Sequence, residues 1–510
     1  MTRLVPPPLA VALPSLCATA LLALITLDRV RQTPGLQWAI AGAALLLMAW
    51  HAAVLARAAR QRRLLTLAVS LRPQHYVQAC AHASILTYWG WHWHPVYDAV
   101  PLIVAQLLFA YGFDMLLTWW RRDGYTLGFG PFPIVFSTNL FLWFRPEWFA
   151  WQFVMLAIAF AAKALVQWTR DGRRTHVFNP SALALTVMSL GLLATGASDV
   201  TLGRDIAVTQ FYPPHMYAFL FAVSLPGQLL FGVASMTVAA VGTTYLASLL
   251  YLAVTGTYFF IDSHVPIAVF LGMHLLFTDP STSPRTELGR VLFGALYGLT
   301  VVGLYALLTA ASLPAFYDKL LQVPLMNLAV PSIDRLARSS MLRRVAPERV
   351  APAATGRRRH VAYAGLWASA FLVITLAGGI GDDHRGQWLP FWQQACEAGS
   401  ERACDQVEQM ESLLCRGGSG WACNELGIRR ATRDDRGIAA LASWQQGCER
   451  GFEPACANAG DGGARTAPPT PADYAILLRG SKGPLDSWSA SALRARACER
   501  QWQDACRIAE

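Results

Sequence analysis

Residues 37–56, QWAIAGAALLLMAWHAAVLA, run for twenty positions with His51 as the one ionisable side chain, and the next seven, RAARQRR, bring Arg57, Arg60, Arg62 and Arg63. An α-helix rises about 1.5 Å per residue, so twenty residues cross the roughly 30 Å hydrocarbon layer of a bilayer. A basic run directly behind such a span is what cytoplasmic membrane loops carry. The pairing recurs. Spans are expected at 9–27, 37–56, 77–93, 98–119, 131–144, 148–168, 179–197, 213–232, 234–255, 265–278, 288–310, 313–333 and 362–380. Further basic clusters stand at Arg121 and Arg122, at Arg170, Arg173 and Arg174, at Arg335, Arg338, Arg343 and Arg344, and at Arg357, Arg358 and Arg359. With Met1 cytoplasmic, thirteen spans put every cluster on the cytoplasmic side, and dropping one span throws several across. The first span runs into Asp28 and Arg29 with no small-residue cleavage pattern, so it reads as an anchor.

Composition agrees. The 510 residues are 54% hydrophobic and 15% charged, where a soluble chain carries about a quarter charged. The net charge of +10 could suggest nucleic acid, but residues 381–510 hold 15 basic and 18 acidic residues and the rest holds 27 and 14. The excess therefore sits in the short loops between spans and sets topology, so no nucleic-acid partner is expected. Membrane lipids are the expected surroundings, and the bacterial inner membrane the expected location, with the N-terminus cytoplasmic and the C-terminal domain periplasmic.

Several spans are irregular. Segment 131–144 follows Gly128-Phe-Gly130 and opens on Pro131, segment 265–278 opens around Pro266 and stops at Asp279-Pro280, and segment 313–333 carries Pro314, Pro324 and Pro331. Broken helices at matching positions in two halves point to an inverted repeat with its site between them. Matching Pro133-Ile134 to Pro266-Ile267 gives five spans in 77–197 and five in 213–333. Polar residues in or beside spans are costly and mark pathways. Asn139, Asp114, Lys163, His274 and Asn327 are the transport-pathway candidates, the alternative being hydrogen bonds between helices, or a snorkelling side chain for Lys163.

Asn179-Pro180 opens a span, where free amide donors and the positive end of the helix dipole would face an anion. Pro180 suits a first helical turn. Arg170, Arg173, Arg174 and His176 crowd the same mouth, where a phosphate or carboxylate would bind. Thr278 and Asp279 are expected to shape the same site, or to form a helix stop with an Asx turn. His92, His94 and Asp98 in WGWHWHPVYD, residues 89–98, suit a metal or an interfacial aromatic belt; no metal is assigned.

Three strings carry a resemblance: THVFNPSA at 175–182, FTDPSTSPRTELGR at 277–290 with Phe293-Gly294, and YDKLLQVPLMN at 317–327 leading to Asp334-Arg335. In this order and spacing they resemble the RnfD/NqrB membrane subunits of ion-translocating electron-transport complexes, over about residues 70–340. His176 before Phe178-Asn179-Pro180-Ser181, with FGPFP at 129–133 and STN at 137–139, is similar to the UnbU branch of that family. The resemblance implies ten helices in two inverted halves and a flavin, FMN or riboflavin. In the family a threonine in a Ser-Gly-Ala-Thr motif after the Asn-Pro helix carries FMN as a phosphoester. Here Thr195-Gly196-Ala197-Ser198 departs from it, with Ser198 for the threonine and Leu192 where the family has an aspartate, so covalent attachment is in question.

After residue 381 the pattern changes. Four cysteine pairs share a spacing of seven intervening residues: Cys396/Cys404, Cys415/Cys423, Cys448/Cys456 and Cys498/Cys506. Two antiparallel helices joined by a short turn would bring such cysteines within bridging distance. Four repeated units make four local bridges the expected pairing, in an oxidising compartment. The units resemble cysteine-rich SEL-like repeats, relatives of tetratricopeptide repeats, which stack into surfaces that bind proteins or peptides.

The expected fold is all-α: a polytopic helical membrane protein of two inverted five-helix halves plus extra helices, with a small periplasmic α-solenoid of disulfide-linked αα-hairpins. The expected domains are two membrane helices and a cytoplasmic loop at 1–69, the ten-helix membrane domain at 70–340, a basic cytoplasmic linker at 341–361, a further span at 362–380 and the repeats at 381–510. The expected function is a flavin-handling inner-membrane subunit working with other subunits of a complex, its repeats meeting a periplasmic protein or peptide. A UnbU-type solute transporter or export factor without redox turnover, and a membrane-anchored scaffold, are the alternatives.

Overall fold

Each expected span holds a helix. In the computed structural model, which describes residues 2–461 except 171, 212, 262, 345, 347–355, 383, 388, 417–419, 434–436 and 451, these are α1 (Pro7–Ala23), α2 (Pro34–Arg60), α3 (Pro73–His92), α4 (Val100–Arg121), α5 (Pro131–Asn139), α6 (Ala150–Leu165), α7 (Pro180–Thr195), α8 (Met216–Phe231), α9 (Ala234–Thr255), α10 (Ile267–Leu275), α11 (Glu287–Ala310), α12 (Val323–Ala337) and α13 (Gly356–Leu376). Among the described residues six are long and apolar enough to cross a bilayer: α1 with its following turn, α2, α4, α9, α11 and α13; α6, α7 and α8 are shorter and apolar. Leu45 and Leu46 on α2, Leu299 and Leu307 on α11 and Leu372 on α13 stand exposed. Lipid tails are as apolar as leucine, so such faces need no protein cover in a bilayer. The chain is an all-α polytopic membrane protein.

The chain divides into two units, Met1–Ala247 with Ile267–Ile374, and Ser248–Pro266 with Thr375–Glu510. In the first, α3 to α7 and α8 to α12 run through the same order, with the nine-residue helices α5 and α10 third in each set. Nine residues rise about 14 Å, half the hydrocarbon layer. Both helices are shorter than the spans expected at 131–144 and 265–278. Polar side chains near their ends bond back to carbonyls one turn earlier. Asn139 Nδ2 donates to Val135 O at 2.7 Å, His274 Nδ1 to Phe270 O at 2.7 Å and Thr278 Oγ1 to His274 O at 2.8 Å. Where one span was expected at 313–333, a turn at Ala315–Tyr317 precedes α12. Pro324 fits the first turn of α12, where an amide hydrogen would have no partner.

Helix α11 lies backbone to backbone against α9 in the first unit. A methyl at Gly294 would come within 2.2 Å of Met236 O, and one at Gly298 within 2.7 Å of Ala240 O. This small-xxx-small spacing lets membrane helices approach closely. Short strands, absent from the sequence reading, tie the helix ends. β1 (Thr2–Leu4) pairs antiparallel with β2 (Thr66–Ser70), which pairs parallel with β3 (Gly124–Leu127). β4 (Gln167–Arg170) and β5 (Arg173–His176) form an antiparallel hairpin, with Gln167 opposite His176.

The second unit contains α14 (Leu389–Glu397), α15 (Glu401–Arg416), α16 (Gly420–Arg433), α17 (Ile438–Glu449) and α18 (Glu453–Asp461). Disulfides join Cys396 to Cys404, Cys415 to Cys423 and Cys448 to Cys456, each closing one turn between consecutive helices. The fourth expected pair, Cys498–Cys506, lies outside the described residues. Trp392, Val407, Trp421, Leu426 and Phe452 form the core. Tyr258 joins them, so the segment Ser248–Pro266, the end of α9 and the loop that leads to α10, belongs with this unit. Arg429 grips the buried Glu411 through two nitrogens, each at 3.1 Å. Burial pushes the Glu411 carboxyl above its ordinary value, and Arg429 holds back part of that rise.

Candidate functional site

The β4–β5 hairpin sits between α6 and α7 in sequence and reaches into the loops of the second half at both ends. At one end Arg170 Nη2 pairs with Asp334 on α12 at 2.7 Å, and Arg170 Nη1 donates to Ser283 O at 3.1 Å. At the other, His176 Nε2 lies 3.0 Å from Asp279 Oδ2. Asp334 also accepts the amides of Arg285 and Thr286 and the Thr286 hydroxyl, at 2.9–3.0 Å. One carboxylate thus fixes the entry to α11 and the hairpin together.

Asp279 does two jobs. Its Oδ1 accepts Ser281 N at 2.9 Å, closing an Asx turn, while its Oδ2 meets His176. The Asx turn expected as one alternative for this loop is therefore present. Burial acts to raise the Asp279 carboxyl, but the His176 ring and the Ser281 donors outweigh it and hold the group below its ordinary value of 3.8. A depressed carboxylate contributes stability that is fully present above the ordinary value and lost as pH falls through the lowered one. The infrared carboxylate band missing from Asp279→Asn is therefore expected to persist in the wild type at pH 4; its loss near pH 5 would contradict this geometry.

Asn179 joins the halves again. Its backbone N–H donates to Asn327 Oδ1 at 3.0 Å and its Nδ2 to Leu276 O at 2.7 Å. Asn327 Nδ2 in turn donates to Thr282 O at 3.2 Å. The Asn179 Oδ1 accepts Ala182 N and the Ser181 hydroxyl, both at 3.0 Å. This corrects the expectation of free amide donors at Asn179-Pro180: the cap residue spends its own carbonyl oxygen on the first turn, as N-cap asparagines do. Thr278 likewise turns its hydroxyl back to His274 O rather than outward.

Around this frame the charges gather. His75 on α3 lies close enough to Lys163 and Asp279 to feel both charges. A methyl at Gly130, just before α5, would be 3.7 Å from the His75 ring and 4.0 Å from Lys163 Nζ. His75, Lys163, Asp279 and His176 therefore gather around one polar mouth. Arg174 stands exposed on β5. Asn139 and Asp114 lie apart: Asn139 exchanges two hydrogen bonds with Gln106, and Asp114 accepts the Tyr125 hydroxyl at 3.1 Å. His75 was not among the expected site residues. Arg170 was expected at this mouth as an anion ligand, and Asp334 figured only at the end of a string that carries the family resemblance; their pairing was not expected.

The other end of α7 carries a second feature. The helix stops at Gly196, whose left-handed φ of 67° suits glycine, and Ser198 follows. The Tyr317 hydroxyl donates to Ser198 Oγ at 3.0 Å, and Arg145 Nε donates to Asp199 O at 2.8 Å. Thr195 spends its hydroxyl on Gly191 O. A phosphoester on Ser198 would have the Tyr317 hydroxyl as a donor beside it, with Arg145 held at the carbonyl of the next residue, which suits the phosphate of a flavin nucleotide. In the run 89–98 the Asp98 carboxylate pairs with Arg29 at 3.8 Å and His94 packs on Tyr97, while Trp89, Trp93 and Trp143 pack together with ring centres 5.1–6.0 Å apart.

No curated protein and no solved structure matches the chain. Residues 225–343, the stretch that holds α10 to α12 with Asp279, Asn327 and Asp334, match the model of the NQR2, RnfD, RnfE family, and over that stretch the chain is similar to this family.

Proposed function

We infer that this protein is a membrane subunit of an ion-translocating electron-transport complex, working with other membrane subunits. The observation that carries the reading is the family match over residues 225–343, which takes in every second-half residue that the β4–β5 hairpin and Asn179 grip. A bound flavin would supply one- and two-electron transfer. Ser198 would hold its phosphate, Tyr317 would donate a hydrogen bond to it, and Arg145 would balance its charge. The polar mouth at the opposite end of α7 would receive an anionic group or pass a proton between His176 and Asp279. FMN is the expected flavin, with riboflavin the non-covalent alternative.

Flavin that stays with acid-precipitated protein, and is lost from Ser198→Ala, tests this reading. A second reading, a UnbU-type transporter or export factor without redox turnover, draws on the serine at 198, on Leu192, and on the self-capped start of α7. In both, Met1 lies in the cytoplasm and the C-terminal unit in the periplasm. The three disulfides support that side, since such bonds persist in oxidising compartments. The stacked helices of that unit suit a SEL-like role in binding a periplasmic protein or peptide, with no turnover of their own.

A further inference from the structure

Helices α3, α8 and α10 enclose a small cavity in the first unit, lined by Gln78, Ser224, Gln228, His274 and Thr278. Room for the centre of a water molecule there is about 10 Å³, close to what one water needs. Two side chains at its wall are 2% exposed, and each has a polar atom with no partner among the described residues: His274 Nε2 and Gln228 Oε1.

The hydrogen bonds fix what these atoms are. His274 Nδ1 faces the carbonyl of Phe270, which only accepts, so Nδ1 carries the hydrogen and neutral Nε2 presents a lone pair. The Ser224 hydroxyl donates to Phe221 O, so it accepts from Gln228 Nε2 at 3.4 Å; this turns Oε1 of the amide the other way. The cavity thus has two acceptors and asks for a guest with two donors. A bare alkali ion would find one oxygen and one ring nitrogen of this kind, too few to replace its hydration. A water molecule matches in size and in number of donors.

We propose that this cavity is a water site in the membrane core, where one molecule donates to His274 Nε2 and to Gln228 Oε1. Thr278 lines the same cavity and precedes Asp279 in the chain, so the bound water extends the polar mouth inward. The inference stands on this cavity's own atoms and does not need the flavin reading.

The test uses the full chain, labelled with ¹⁵N-histidine and placed in lipid bilayers. Solid-state NMR then follows magnetisation passing from water protons to the His274 ring, assigned by its disappearance in His274→Phe. Transfer to Nε2 is expected in the wild type, and a loss of more than half of it in the near-isosteric Gln228→Met. No transfer in the wild type would overturn the site, whatever the variants do. Undiminished transfer in folded Gln228→Met would overturn the bridge to Gln228.

Discussion

Asp334→Ala is expected to lower the stability of the membrane unit by about 3–5 kcal/mol, the usual cost of removing one partner of a buried, hydrogen-bonded charge pair. Four donors converge on this carboxylate: the Arg170 guanidinium, the amides of Arg285 and Thr286, and the Thr286 hydroxyl. Alanine leaves Arg170 in a largely buried position with only the Ser283 carbonyl. The packing leaves no room for a substitute, since a methyl at Gly289 would already lie 3.0 Å from Asp334 Oδ1. Asp334→Asn keeps an acceptor for the amides and loses the charge, so its cost is expected to be about half. Thermal unfolding in detergent, with both variants inserted in the membrane to wild-type level, measures this. Equal stability of Asp334→Ala and wild type would mean that the hairpin is not held by this residue.

Asn179→Ala carries the second large effect. Loss of the N-cap costs about 1 kcal/mol, and the Leu276 carbonyl left without its donor adds about 1–3 kcal/mol. The expected sum is roughly 2–4 kcal/mol, with membrane insertion unchanged. Activity is expected to disappear altogether, because the start of α7 loses its cap and its side-chain attachment to Leu276 O, just past α10. Asn179→Asp separates the two contributions: it keeps the cap and lacks the Nδ2 donor to Leu276 O. Wild-type activity in Asn179→Ala, with the protein inserted and folded, would remove this residue from the working site.

The membrane helices were legible because a bilayer admits so few solutions: an apolar run of sufficient length has to become a helix. The three described disulfides were legible for a similar reason, since seven intervening residues keep both cysteines at one turn. Turn-forming residues at Asn179-Pro180 and Asp279-Pro280 likewise exposed the two loops that meet. What they do there was not legible. Asn179 looked like an open anion site, yet its own side chain closes the first turn, a choice that depends on where Ser181 and Ala182 fall in the folded chain. The back-bonding of Asn139, His274 and Thr278 to carbonyls one turn earlier was not legible either: Asn139 and His274 read as pathway candidates, and Thr278 as part of the loop at Asp279. The pairing of Arg170 with Asp334 was hidden because the two are 164 residues apart and each had a sufficient local explanation. Asn327, a pathway candidate by its polarity, proves to be the partner of the Asn179 amide.

The most direct measurement is flavin on the detergent-purified protein, before and after acid precipitation, for wild type and Ser198→Ala. The expected result is flavin in the wild-type pellet, absent from that of Ser198→Ala, from protein that unfolds at the same temperature in both cases. Protein that is folded and holds no flavin in pellet or supernatant would contradict the redox reading and leave the transporter in its place.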